Sequence, residues 1–170
     1  MKILFGILLL FMCVYIGQQK GRALKARSKI LIGLNDDIER LLNSMEYTRL
    51  PISRLIEMLT PCNEKTFWDT LTLNIQNSES LVCAYDKTMR ELQMKKTGFE
   101  QLREEDKGVL ESFFSTLGKG DFTSEKNNIQ LVLKRLFSLA GEAENVEKKY
   151  VKLYSSLGLF SGLTLFLIIL

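Results

Sequence analysis

Two runs of fourteen residues without a single charge lie at opposite ends of the sequence: Ile3–Ile16 (ILFGILLLFMCVYI) and Leu157–Leu170 (LGLFSGLTLFLIIL). Each carries its cations on the side facing the middle of the chain. Lys20, Arg22, Lys25, Arg27 and Lys29 follow the first run, with no acidic residue before Asp36, and Lys148, Lys149 and Lys152 precede the last. Such a pattern predicts a membrane anchor at each end, and the positive-inside bias places the middle in the cytoplasm. A spanning helix wants about 20 apolar residues. Adding Gly17–Gln19 and Tyr154–Ser156 brings both runs into that range, with Lys20 and Lys152 snorkelling to the headgroups. The N-terminal run also has the outline of a signal peptide, with Lys2 ahead of an apolar core. However, no small-x-small cleavage site follows Ile16, and Met12 before Cys13 is too large for lipoprotein cleavage. The expected organisation is therefore an anchor at 1–20, a cytosolic α-helical bundle at 21–153 and a second anchor at 154–170.

The net charge of +3 traces to the cations beside the apolar runs. That distribution points to anionic lipid headgroups, met by Lys20, Arg22, Lys25, Arg27 and Lys29, and not to nucleic acid. Cys62 and Cys83 are expected to be reduced and buried in a cytosolic domain, as small apolar residues. An inverted topology would let them form a disulfide.

Nearly all of the middle reads as helix. Leu31, Leu34, Ile38, Leu41 and Met45 are spaced three and four apart and make one stripe over about 22–47. Pro51 suits the first turn of a short helix ended by Pro61. Glu64–Ile75 forms a third helix. A fourth, capped by Ser78, carries Leu81, Tyr85, Met89 and Leu92 and stops at Gly98. A fifth runs over about 101–117, with Gly118 as its stop. No stretch alternates at strand period, so the expected fold is all-α.

The last helix, capped by Asp121 or Thr123, has the longest seam. Ile129, Val132, Leu136, Leu139, Ala143, Val146, Tyr150, Leu153 and Leu157 continue into the apolar run. A heptad seam of that length wants a partner helix. Antiparallel pairing with the first helix meets that need within one chain, and a homomeric coiled coil is the other solution. Gly141 costs the helix roughly 1 kcal/mol relative to Ala, which implies close packing or a bend. Gly158 and Gly162 form a G-x-x-x-G pair, a spacing that lets helix backbones approach closely in a membrane.

No catalytic constellation is legible. The chain has no histidine, which removes the commonest general base and metal ligand. The cysteines lack companion ligands. Asp36 with Asp37, and Glu104 with Glu105 and Asp106, are sequence neighbours that diverge around a helix and read as solvated faces. Gly118-Lys119-Gly120 lacks the upstream glycine and the following Ser or Thr of a phosphate loop, so it reads as a turn. No cofactor is expected.

Residues spread along the whole chain resemble a known family. Leu117, Gly118 and Asp121 match a Leu-Gly-x-x-Asp pattern before the last helix. Tyr150, followed by Leu157, Gly158 and Gly162, matches a Tyr and a Leu-Gly-x-x-x-Gly start of the final anchor. Tyr47, Pro51 and Ile52 match Tyr-x-x-x-Pro-Leu. In order and spacing these resemble the stage III sporulation protein AB family of endospore-forming bacteria. Phe113-Phe114, where that family often has Phe-Gly, and Ser124-Glu125, where it has glutamines, are departures. The resemblance implies a subunit in the mother-cell membrane facing the forespore. It also implies a soluble domain similar to the cytoplasmic helical domain of type II secretion platform proteins. Its implied partners are a cytosolic ATPase and other membrane subunits of the sporulation channel. A membrane-tethered adaptor acting through homodimerisation is the competing function.

Overall fold

The computed structural model describes residues 2–48, 52–58, 62–78 and 80–169. Every regular element among them is helical: α1 (Lys2–Thr48), α2 (Ile52–Glu57), α3 (Lys65–Gln76), α4 (Leu81–Met94), a 3-10 turn at Phe99–Gln101, α5 (Glu104–Thr116) and α6 (Phe122–Ile169). The all-α expectation is met. Pro51 and Pro61, expected to bracket the second helix, lie outside the described residues. Elsewhere the helix ends follow local chemistry. Ser80, and not Ser78, caps α4 by accepting the Cys83 N–H. Gly98 and Gly118 adopt φ of 102° and 79°, values that glycine reaches without a steric penalty.

The chain divides into two compact units, residues 29–140 and residues 1–28 with 141–170. In the first unit the expected stripe is buried: Leu31, Leu34, Ile38 and Leu41 are wholly inaccessible and Met45 nearly so. Ile129, Val132, Leu136 and Leu139 of α6 are buried as well. Lys126 Nζ lies 2.7 Å from Glu46 Oε1, which sets the start of α6 beside the end of α1 and makes the pair antiparallel. An aromatic cluster on α3, α4, α5 and the 3-10 turn completes this core. Phe67 and Phe99 stack at 5.5 Å, Tyr85 and Phe114 at 5.1 Å, and Phe113 meets Phe114 edge-on at 4.9 Å. Such pairs add about 0.5–1.5 kcal/mol each beyond the area they bury. The buried Tyr85 hydroxyl donates to the Lys107 carbonyl at 3.0 Å, and burial pushes its pKa upward.

The second unit is a hairpin made of the first part of α1 and the last part of α6. Gly17, Gly21, Gly158 and Gly162 are buried. A Cβ added at Gly17 would stand 2.6 Å from the Tyr154 carbonyl oxygen and 3.2 Å from Gly158 Cα. One added at Gly158 would stand 2.9 Å from the Cys13 carbonyl oxygen. The two backbones therefore touch where only glycine fits, and Gly21 against Val151 continues the antiparallel register. The seam changes character here. Ala143 is buried and Val146 and Tyr150 are half-buried, but Leu153, expected in the seam, is 49% exposed. Glycine at the contact leaves no hollow for a leucine to fill, so the larger side chains turn outward. Gly141 has open space around it, so close packing does not explain it.

Candidate functional site

Three features of the described residues stand apart from plain core packing. The first is the outside of the hairpin. Leu8, Phe11, Met12, Tyr15 and Ile16 of α1 are exposed, as are Leu157, Leu159, Phe160, Leu163 and Leu167 of α6. Toward the middle of the chain these give way to exposed Gln18, Gln19, Lys20, Arg22 and Lys25 on α1, and to Lys152, Lys149 and Lys148 on α6. Tyrosines stand at the change. The Tyr15 hydroxyl accepts from Gln19 Nε2 at 2.8 Å, Tyr150 and Tyr154 lie 6.3 Å apart, and the Lys149 ammonium sits 5.3 Å from the Tyr150 ring centre. Among the described residues no helix is long and apolar enough to cross a membrane. Two of the five cations expected at headgroups are placed differently from the rest. Arg27 is 4% exposed and engaged within the protein, so it cannot face lipid. Lys29 is exposed but belongs to the bundle, where its charge acts on Glu64.

The second feature is Asp37, which sequence reading placed on a solvated face. It is wholly buried. One carboxylate oxygen accepts the Asn63 N–H at 2.7 Å; the other accepts the Glu64 N–H and Trp68 Nε1–H, both at 2.9 Å. α3 has no side-chain cap of its own at Glu64; Asp37 reaches over from α1 to accept the N–H groups of this cap residue and of Asn63 before it, and its charge complements the helix dipole. Glu64 lies against Gly33, where an added Cβ would come within 2.8 Å of its carboxylate. Burial, helped by Asp37 and opposed by Lys29, raises the Glu64 pKa to about 7. Asp106, also read as solvated, is buried too and accepts the Arg103 N–H at 2.8 Å, capping α5. Asp36 does stay near the surface, accepting from Asn63 Nδ2 at 3.1 Å.

The third is a groove between α5 and α6, lined by Val109, Ser112, Leu131, Val132 and Arg135. It continues past Gly108, above which space is open. Leu131 and, nearby in sequence, Phe137 are exposed. The residues carrying the family resemblance are scattered. Leu117 is buried, Gly118 makes its left-handed turn, Asp121 bonds Ser124 at the start of α6, and Leu157 is exposed. Tyr47 is 91% exposed. The cysteines are free; Cys83 is exposed and Cys62 half-buried, against the expectation that both are buried. No cluster of His, Cys, Asp or Glu among the described residues could hold a metal ion.

The comparisons with known proteins agree with the resemblance. The family described as Stage III sporulation protein AB matches residues 2–170. The chain belongs to the stage III sporulation protein AB family. Stage III sporulation protein AB of Bacillus subtilis (strain 168) is 30% identical over 99 residues, 56% of this chain and 53% of that protein. The match thus spans about half the length of that relative. No solved structure matches. Family membership supports a sporulation role.

Proposed function

We propose that this sporulation protein is an assembly and docking subunit that holds a cytosolic partner at a bilayer. The hairpin is its membrane anchor, in the mother-cell membrane facing the forespore, and the 29–140 bundle is its cytoplasmic docking domain. The observation that carries the reading is the reversed polarity of the hairpin, with glycine inside and large apolar side chains outside. In water that exterior costs about 25 cal/mol per Å² of apolar surface left exposed; in lipid it costs nothing. Exposed cations below it suit anionic headgroups. By analogy with secretion platforms, the docked partner is the ATPase of the channel complex, together with its other membrane subunits. The α5–α6 groove, where Ser112, Thr116, Asn128 and Arg135 stand beside Val109, Leu131 and Val132, offers such a partner a mixed polar and apolar surface. The homodimerising adaptor loses ground because Ile129, Val132, Leu136 and Leu139 are already covered within the chain.

The test replaces Phe11 and Phe160 together by Lys in the full-length protein. The bundle should still fold and bind the purified ATPase, while the protein leaves the membrane fraction and spore formation fails. Full sporulation with the variant in the soluble fraction would refute the docking role. Orientation is read at exposed Cys83, which a membrane-impermeant thiol reagent should label only after permeabilisation.

A further inference from the structure

The hairpin also brings tyrosines and cations of both helices to one level. Its glycine contact fixes the register of α1 against α6, so Tyr15, Lys20 and Arg22 stand at one end of the apolar exterior together with Tyr154, Lys149 and Lys152. Tyrosine settles at the level of lipid headgroups, and Lys and Arg just beyond it. In α1 the charge-free residues run from Ile3 to Gln19, seventeen in all, the low end of what spans a bilayer. As helix, at 1.5 Å per residue, they measure about 25 Å. The hydrocarbon layer of an ordinary bilayer is about 30 Å thick. A helix that is too long can tilt, whereas one that is too short thins the bilayer around it, draws its flanking charges inward or oligomerises.

From these observations, and resting on the membrane reading above, we infer that the tyrosine–lysine–arginine collar binds anionic headgroups at a set depth and thereby selects bilayers with a thin hydrocarbon layer. The surface is shared by both helices, so neither end of the chain makes it alone.

The test is co-flotation of the full-length protein with phosphatidylcholine vesicles of short (myristoleoyl), ordinary (oleoyl) or long (erucoyl) chains, with and without phosphatidylglycerol. Recovery should be at least about threefold higher with the short lipid than with the long one. Phosphatidylglycerol should raise it further. Replacing Lys20, Arg22, Lys149 and Lys152 by Gln should remove the response to phosphatidylglycerol and keep the preference for short chains. Inserting four leucines after Ile3 and four after Leu167 should move the optimum to oleoyl lipid. Equal recovery from all three thicknesses would overturn the depth selection. An unchanged response to phosphatidylglycerol in the glutamine variant would overturn the collar. Failure to float with any vesicle would overturn both, and the membrane anchor with them.

Discussion

The bundle and the hairpin share two helices yet are packed by opposite rules. Between residues 29 and 140, leucines, isoleucines and six aromatic rings point inward and the charges point out except for the capping carboxylates Asp37 and Asp106, so water itself holds the unit together. In the hairpin the inward positions are Gly17, Gly21, Gly158 and Gly162, while Phe11 and Phe160 are 69% and 64% exposed. Close backbone approach through small residues is how helices associate where the solvent is as apolar as their side chains. The contrast teaches that burial alone does not define an interior. The same leucine spacing along α6 serves as a core in one unit and as an outer coat in the other.

The sharpest way to break this contrast is to make one substitution twice in one helix. Leu136→Asp puts a carboxylate where nothing is accessible to solvent. A cost of several kcal/mol, against a total stability of about 5–15 kcal/mol, should abolish cooperative melting in circular dichroism. Leu157→Asp should leave that melting in place and lower recovery with vesicles. Equal thermal damage from both would mean that the two units are packed alike.

Asp37→Ala comes next. It strands three donors, two of them backbone N–H groups, and each buried unpaired donor costs about 1–3 kcal/mol. A loss of about 3 kcal/mol by urea denaturation is expected, and less than 1 kcal/mol would mean that water replaces the carboxylate.

Gly158→Leu addresses the hairpin alone. Gly21→Cys with Val151→Cys should form a disulfide in the parent background, since the added Cβ at Gly21 lies 3.5 Å from Val151 Cγ1. Adding Gly158→Leu should suppress that crosslink without shifting the bundle's melting temperature. Efficient crosslinking in the leucine variant would show that the backbones need not touch.

The smallest effect is a pH dependence. Glu64 holds its proton more tightly in the folded bundle than in the unfolded chain, with a pKa of about 7 against 4.5. The folded state thus binds more protons between those values. The contribution is fully present below pH 4.5 and is lost as pH rises through 7. Glu64→Gln should flatten the fall in melting temperature across that window, and an unchanged slope would assign it to another group.

The helices were legible because burial along them repeats every three to four residues, and the stripe from Leu31 to Met45 shows this without a break. The glycine contact was half legible. Gly158-x-x-x-Gly162 stood out within an apolar run, but its partner, Gly17-Gln-Gln-Lys-Gly21, is the same pattern in polar surroundings. Leu153 was misplaced because a heptad records spacing and not which solvent the face meets. Asp37 was hidden altogether. Its partners lie 26 to 31 residues along the chain, and adjacent acidic residues give no local sign that one of them is buried.

The borrowed cap has a consequence for how the chain acquires its shape. An isolated helix of fewer than about 12–15 residues is marginal in water, because its first turn fixes many torsions for one hydrogen bond. α3 has 12 residues and no cap of its own. A peptide spanning 62–78 should therefore stay mostly coil, and a chain leaving the ribosome should complete α3 only against an α1 already formed. Asp37 thus ties a local ordering event, the start of α3, to a distant one, the completion of α1.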